Sequence, residues 1–434
     1  MPPRRRPRGG QPGRGGVRTG GDPLTEPGSA AYLAEQRREL LRFAAAARTE
    51  AGFGWLDDTG RLAPGRPTEL WITCRMTHVF SLGLLAGERP APGGPDAGEL
   101  RALAEHGVRA LLDGPLADET YGGWRATVPG DDDKLGYGHA FVVLAGSSAS
   151  VARLDGGEEL LAAAIATVEK RFWVEDDGMV VDRWDRVWSD LDPYRGVNAN
   201  MHAVEAFLAA GDVTGDATWH ERAGRISARV VDWARGNGWR VPEHFDERWR
   251  PRLEHNRDRP ADPFQPYGAT VGHGLEWARL LVAVDRTLGA AAPGGLVDAA
   301  VALADRAAED GWAADGQPGF VYTTDWEGRP VVRSRMHWVA AEAVATAEVL
   351  HRATGDGRWS RAAAEWWRWI DEHLVDRENG SWRHELDERN RPVAEVWPGK
   401  PDVYHAYQAA LLPALPVVPS FASALAAAGG VPGV

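Results

Sequence analysis

The sequence contains a single cysteine, Cys74, and no long apolar run. One cysteine excludes an internal disulfide and is typical of a protein in a reducing cytoplasm, which is where we expect this one. Because no stretch of about 18 apolar residues is present, we expect no transmembrane helix. Phosphate-binding loops, a Rossmann glycine pattern and a nucleophile elbow are also absent, so nucleotide chemistry and acyl transfer have no support.

Acidic residues outnumber basic ones, with 62 Asp and Glu against 49 Lys and Arg, so the formal net charge is −13. This balance disfavours nucleic acid and anionic membranes as partners of the folded body. Residues 1–27 differ, because arginines lie there among Gly and Pro. That composition predicts a disordered tail without a catalytic part, and a basic arm that touches nucleic acid is a minor alternative. No apolar segment follows, so export is not indicated. Monomer and homo-oligomer both stay open.

A histidine followed by an apolar, helix-like run occurs six times, at intervals of 61 to 71 residues. A repeat of this length indicates one unit copied six times. Six amphipathic segments with one charged face alternate with these runs and predict outer helices around inner ones. The six histidines are His78, His139, His202, His273, His337 and His405.

Gly-aromatic stretches, such as residues 319–326, resemble short strands and lead into the histidine-led segments. The whole pattern predicts an all-α fold, an (α/α)6 barrel over residues 28–418 with short β-hairpin connections on the active-site face. An open α-solenoid is the less favoured alternative, since it would not need a polar residue at each inner helix start. Residues 419–434 are predicted to form a flexible C-terminal tail. If the ring closes, the helix starts and several imidazoles converge on one pocket.

Two repeats carry a His and a Glu three residues apart on otherwise apolar helices. These pairs are His202 with Glu205 and His273 with Glu276. A carboxylate one turn along a helix holds an imidazole in one tautomer and raises its basicity, which suits acid–base catalysis. We therefore predict that each Glu orients the His on its own helix.

Other polar residues enter apolar helices where a structural role alone does not explain them. Arg75 is costly to bury unless it faces a carboxylate or a polar pocket. Asp402 has the position of a helix cap, but Lys400, His405 and Gln408 have no such explanation. His139 and His337 are predicted to be structural, with backbone partners near the rim.

Two other kinds of site are weaker interpretations. A zinc or iron site would need three or four converging ligands, and His202, His273 and His405 form no dense ligand motif. We therefore expect no metal. A glycoside hydrolase would need paired carboxylates, but residues 131–133 and the pair Asp190 and Asp192 resemble loop and cap residues. A pocket of imidazoles with one arginine suits instead the removal of a proton beside a sugar carbonyl, giving an enediolate.

At these residues the chain resembles the N-acylglucosamine 2-epimerase family, and within it the branch of mannose isomerases and sulfoquinovose isomerases. The resemblance extends in order from about residue 30 to residue 413. The matching segments begin at Arg75, Tyr137, Tyr194, Gly272 and Gly399 and run through RMTHVF, YGHAF, YRGVNANMH, GHGLEW and GKPDVYHA. The family fold is the (α/α)6 barrel.

The resemblance implies a cofactor-independent aldose–ketose isomerase or 2-epimerase that acts through a cis-enediol(ate). It implies that His405 takes the C2 proton and that His273, oriented by Glu276, is the partner acid/base. Arg75 and His202 would bind the reacting oxygens. The predicted substrate contacts are Asn198, Tyr137, Trp338, Trp397, Lys400, Asp402 and Gln408.

The substrate is expected to be a monosaccharide, and we favour interconversion of D-mannose and D-fructose. A sulfonated sugar would need a cation, but Gln265 stands where an anion-binding residue is expected, with Arg257 and Arg259 near it in sequence. The alternatives are 2-epimerisation of a free sugar (an N-acylglucosamine, glucose or mannose, or cellobiose), sulfoquinovose isomerisation, and a non-catalytic sugar-binding toroid. A binder would not need three imidazoles.

Overall fold

The computed structural model describes residues 26–431 and consists mainly of α-helices. Six of these helices form an outer layer with one charged, solvent-facing side. Several begin at an aspartate whose side chain accepts a backbone N–H, as Asp96 does from Glu99 in a capping box. The outer helices are α1 (Ala30–Ala44), α3 (Ala97–Leu112), α5 (Gly157–Arg171), α7 (Ala217–Gly236), α9 (Leu296–Gly311) and α11 (Gly357–Trp369).

The six inner helices are buried on nearly every side, because they lie between the outer layer and the centre of the ring. This position explains why their sequences are apolar all round. No helix in residues 26–431 is long and apolar enough to cross a bilayer. The inner helices are α2 (Leu70–Ala86), α4 (Gly136–Val151), α6 (Val197–Thr214), α8 (Val271–Leu288), α10 (His337–Thr354) and α12 (Tyr404–Leu411).

Helix packing closes the structure into a ring. Each inner helix contacts the next one along the chain, and α12 contacts both α2 and α1. Arg37 of α1 strengthens this closure, because it donates to the carbonyl of Ala410 and forms a buried ion pair with Glu88. The predicted (α/α)6 barrel is therefore confirmed, and the alternative of an open α-solenoid is wrong.

Short strands fix where the inner helices begin. The dipeptide before each of α2, α4, α6, α8 and α10 pairs antiparallel with the connection of the next repeat, in the pairs β3–β4, β5–β8, β9–β10, β11–β12 and β14–β15. Local hairpins also occur (β1–β2, β6–β7 and β12–β13), but most pairing links neighbouring repeats. The strands are β1 (Arg48–Thr49), β2 (Gly52–Phe53), β3 (Thr68–Glu69), β4 (Thr127–Val128), β5 (Lys134–Leu135), β6 (Trp173–Val174), β7 (Met179–Val180), β8 (Arg183–Trp184), β9 (Arg195–Gly196), β10 (His244–Phe245), β11 (Ala269–Thr270), β12 (Thr323–Thr324), β13 (Pro330–Val332), β14 (Arg335–Met336) and β15 (Glu385–Leu386).

The C-terminal segment differs from the flexible tail that the sequence predicted from residue 419. It forms helix α13 (Phe421–Ala428), which contacts α2, α4 and α6. Ala422, Ala424 and Leu425 are buried there, because the inner helices leave apolar surface uncovered at the ring end opposite the connections. The predicted basic tail lies almost wholly outside the described residues.

Lys400 joins the last repeat to its neighbours and does not contact the site, so its predicted role in substrate binding is wrong. Its buried ammonium donates to Asp376 Oδ2 at 2.7 Å and to the carbonyl of Gly380 at 2.7 Å. Its backbone N–H donates to the carbonyl of Leu56 in the first repeat. The preceding Gly399 has φ +77°, and a Cβ there would lie 2.5 Å from that carbonyl. The lysine is therefore a structural ion-pair residue at the seam of the ring.

We predict that Lys400→Ala destabilises the fold without altering the site. Asp376 would lose its closest buried partner and keep Arg383, at 3.1 Å, as its cationic partner among the described residues, so the free energy of unfolding should fall by about 3 kcal/mol. Urea unfolding monitored by circular dichroism measures this change. Arg329→Ala is the control, because that ion pair is exposed and should contribute less than about 1 kcal/mol. Equal effects of both variants would contradict the assignment.

Candidate active site

A cavity of about 660 Å³ lies at the ring end where the inner helices begin. Its walls come from all parts of the barrel, as the convergence of helix starts predicted. Most of the residues that the sequence singled out line it, namely Arg75, Tyr137, Asn198, His202, His273, Glu276, Trp338, Trp397, Asp402 and His405. Lys400 and Gln408 do not.

His405 is held by a carboxylate from the neighbouring inner helix. Its Nδ1 lies 2.8 Å from Glu342 Oε1, and the other oxygen of Glu342 accepts from Arg279 Nε at 2.9 Å. All three side chains are buried. An ionised Glu342 places the imidazole proton on Nδ1, which leaves the Nε2 lone pair for the cavity. The sequence did not identify Glu342 or Arg279.

His273 is also held by a carboxylate, but not by the one predicted. Its Nδ1 lies 3.0 Å from Oε2 of Glu243, a buried residue in the connection between α7 and β10. The prediction that Glu276 orients His273 is therefore wrong. His273 is the third residue of α8, so its ring faces the connections, whereas Glu276 lies one turn deeper in the barrel. Trp338 stands between His273 and His405, with ring centroids 5.2 Å and 5.7 Å away.

The predicted pair of His202 and Glu205 is wrong as well. Glu205 accepts from the Tyr404 hydroxyl and from Gln408 Nε2, both on α12. The predicted contact between Gln408 and substrate is thereby also wrong, because this amide lies beneath the cavity floor, between Glu205 and His78. His202 instead has Glu276 as its nearest carboxylate, with Nδ1 and Oε1 3.9 Å apart.

Arg75 pairs with a carboxylate and faces the cavity, as predicted for a buried arginine. Its guanidinium lies 3.2 Å from Asp402 Oδ2 and donates to the Tyr137 hydroxyl at 2.9 Å. The rings of Phe141 and Tyr404 lie within 5 Å of it. Because Asp402 comes from the last repeat and Arg75 from the first, the pair spans the seam of the ring.

The remaining repeat histidines have three different positions. His139 is structural as predicted, since its nitrogens pair with the backbone of Leu135 and Trp124. His337 was also predicted to be structural, but it lines the cavity and stacks on His384 with centroids 3.6 Å apart. His78 lies two turns inside α2, where Ser148 binds it 2.6 Å away. In the first repeat, the cavity is therefore lined by Arg75 and not by the repeat histidine.

Aromatic rings close the outer part of the cavity. Phe264, from the long connection between β10 and β11, meets Trp397 and Trp71 edge to face at 5.3 Å and 6.5 Å. Tyr322 packs against Trp338 deeper inside. The sequence placed Trp338 and Trp397 here but missed the other three rings. The only sequence feature that pointed to these three rings was the high aromatic content of the connections. Composition alone does not show which ring faces the cavity.

Carboxylates and imidazoles also cluster beneath the cavity in two groups that resemble a metal site. Ligand atoms of His202, Glu205 and Glu276 lie within 4.8 Å of one another, as do those of Glu276, Glu342 and His405. Most of them already accept or donate hydrogen bonds. The Arg279 guanidinium lies 3.6 Å from Glu276, and this fixed positive charge opposes a divalent cation. The arrangement favours proton chemistry over metal binding.

A closed ring of helix pairs with carboxylate-bound imidazoles, one paired arginine and aromatic walls defines a carbohydrate-active (α/α)6-barrel protein. A sequence profile of N-acylglucosamine 2-epimerase (GlcNAc 2-epimerase) matches residues 51–409. The chain therefore belongs to the N-acylglucosamine 2-epimerase family, whose members are isomerases and epimerases.

Several characterised relatives are similar over nearly their whole length. A D-mannose isomerase of Thermobifida fusca is 50% identical over 92% of this chain and 97% of the relative. A D-mannose isomerase of Pseudomonas cannabina pv. alisalensis is 46% identical over 93% and 97%. A crystal structure of a D-mannose isomerase superposes with a TM-score of 0.80 at 26% identity, over 88% of this chain and 97% of that one. The cellobiose 2-epimerase of Spirochaeta thermophila shares the fold, with a TM-score of 0.75 at 22% identity over 88% and 95%.

We predict that His405 and His202 both stay neutral from neutral pH down past 6.5. Burial, followed by the charge of Arg75, holds the pKa of His405 well below its usual 6.5, and burial likewise lowers the pKa of His202. A lowered pKa keeps the imidazole neutral, and able to accept a proton, at more acidic pH. A titration of the two rings followed by nitrogen-15 NMR measures this, with circular dichroism at each pH as the control for folding. A titration midpoint at 6.5 or above for either ring would contradict it.

Proposed function

We propose that this protein interconverts D-mannose and D-fructose through a cis-enediolate. The observation that carries the proposal is that two imidazoles line one sugar-sized cavity, each with Nδ1 bound to a buried carboxylate. Two relatives named D-mannose isomerase, 50% and 46% identical, support the same choice of sugar. We also propose a cytoplasmic location, since the one cysteine is buried and free.

In the proposed reaction, His273 moves the proton that ring opening requires between O1 and the ring oxygen. His405 Nε2 then takes the proton from C2, and the electrons of that bond form the C1–C2 double bond while charge collects on O1. Arg75 and His202 stabilise this oxygen. A proton moves from O2 to O1, and His405 returns its proton to C1. The product is the ketose.

The charge around the cavity supports a neutral sugar over a sulfonated one. Arg75 is the one arginine among the lining residues, and Asp402 already pairs with it. Arg257 and Arg259 lie outside the lining, with exposed side chains that pair with Glu254 and Asp262. A sulfonate bound here would meet no free cation, and burying it would be costly.

The first test measures turnover on a panel of sugars in D2O. We expect D-mannose and D-fructose to interconvert and to gain deuterium, because an enediolate exchanges its carbon-bound proton. The panel also contains glucose, N-acetylglucosamine, cellobiose and sulfoquinovose. Faster conversion of another sugar would overturn the choice of substrate. No turnover and no exchange on the whole panel would favour a sugar-binding protein.

The second test removes each imidazole. We expect His405→Ala and His273→Ala each to lower kcat by at least about a hundredfold, because each would lose a proton-transfer group. The control is His373→Ala, a partly exposed histidine in the turn after α11 and outside the cavity. Circular dichroism shows whether the variants are folded. A near-normal rate in either active-site variant would refute the role assigned to that residue.

A further inference from the structure

The floor of the cavity holds more carboxylates than cations. Glu205, Glu276 and Glu342 approach one another from α6, α8 and α10, and Arg279 is the cation set among them. The other nearby cation, Arg75, is already matched by Asp402. Buried charges are stable only when they are paired, and carboxylates that share a site do not all ionise. At least one of the three glutamates is therefore expected to carry a proton.

Hydrogen bonding distinguishes the three glutamates. Glu205 accepts from the Tyr404 hydroxyl and the Gln408 amide, and Glu342 accepts from Arg279 and His405. Glu276 is 1% exposed, and neither of its oxygens has a hydrogen-bond partner among the described residues. Donors stabilise the ionised form of a carboxyl group. Glu276 is thus the least stabilised as an anion.

His202 presents the complementary feature. Its Nδ1 is buried without a hydrogen-bond partner in residues 26–431, and its nearest carboxylate oxygen is Oε1 of Glu276, 3.9 Å away. This separation is longer than a hydrogen bond, but such contacts at catalytic sites often shorten only when substrate binds. An imidazole nitrogen without a hydrogen bond among the described residues therefore faces a carboxyl group that also has none and whose nearest cation, Arg279, lies 3.6 Å away.

We propose that Glu276 is a neutral carboxylic acid in the resting enzyme, and that it donates its proton to Nδ1 of His202. This inference rests on the proposed enediolate chemistry for its catalytic meaning, but not for the protonation state itself. Glu276 acts through His202 and is a positioning residue.

The groups around Glu276 support its neutral form. Burial raises its pKa well above the usual value, and the charges of Glu342 and Glu205 raise it further. Arg279 and Arg75 act in the opposite direction. Burial also lowers the pKa of His202, so that this ring is neutral and has one nitrogen free to accept. Tyr404 contributes no charge, because burial holds its pKa well above 10.

The proton on Glu276 decides what His202 offers to the sugar. With Nδ1 accepting, the ring proton lies on Nε2, and His202 becomes a hydrogen-bond donor toward the cavity. His405 has the opposite tautomer, because the ionised Glu342 binds its Nδ1–H. One imidazole is therefore prepared to accept the C2 proton, and the other to donate a hydrogen bond to the enediolate oxygen.

A spectroscopic test addresses the resting protein without substrate. We expect the infrared difference spectrum between the wild-type protein and Glu276→Gln at neutral pH to contain a carboxylic-acid C=O band. The same difference for Glu342→Gln should contain carboxylate bands instead. Nitrogen-15 NMR of the histidine rings should place the proton of His202 on Nε2. A carboxylate band lost in Glu276→Gln, or an Nδ1–H tautomer of His202, would overturn the proposal even if the protein isomerises mannose as expected.

A kinetic test uses the same two variants on whichever sugar of the panel the wild-type enzyme converts. An amide is neutral and donates a hydrogen bond, so Glu276→Gln should keep kcat within about tenfold, whereas Glu342→Gln should lose about a hundredfold or more. Glu276→Ala should lose more activity than Glu276→Gln, because it removes the donor. Equal losses in the two Gln variants would overturn the inference. If no sugar is converted, the proposed function fails and the spectra still decide the state of Glu276.

Discussion

The buried contact of Arg279 with Glu342, and of Glu342 with His405, is the interaction on which the site depends. It links three successive inner helices, α8, α10 and α12, through one carboxylate whose two oxygens have different partners. The arginine donates to one oxygen of that carboxylate, and the other oxygen holds the imidazole at its Nδ1. Burying such a set is costly unless every charge is paired. These charged side chains are therefore tolerated among the apolar inner helices only because ring closure brings them together.

Closure of the ring provides that arrangement. The strand pairs between neighbouring repeats set the depth at which α2, α4, α6, α8 and α10 begin, and a backbone hydrogen bond from Lys400 to Leu56 joins the last repeat to the first. Depth explains part of the difference between the histidines. His273 and His405 lie within the first turn of their helices and face the cavity, whereas His78 lies two turns deeper in α2. Rotation of the helix also matters, because His139 lies in the first turn of α4 and still pairs with backbone groups.

The tautomer of each cavity imidazole depends on a carboxyl group that lies on another helix or in a connection. His405 and His273 have carboxylate partners from another helix and from a connection, while His202 faces Glu276, which has no hydrogen-bond partner among the described residues. Differences of this kind allow chemically identical side chains to accept a proton at one position and donate a hydrogen bond at another.

The repeat interval and the helical periodicity predicted the barrel and the convergence of the inner-helix histidines on one pocket, because helix faces depend on local spacing. The resemblance to a known family supplied other lining residues, such as Tyr137, Asn198 and Trp338. The carboxylate partners of the histidines could not be predicted in this way. Glu243 and Glu342 lie 30 and 63 residues from the histidines they bind, and spacing on one helix pointed instead to Glu276 and Glu205. Only the tertiary structure decided which carboxylate meets which imidazole, since contacts between helices depend on how the closed ring sets their depth and rotation.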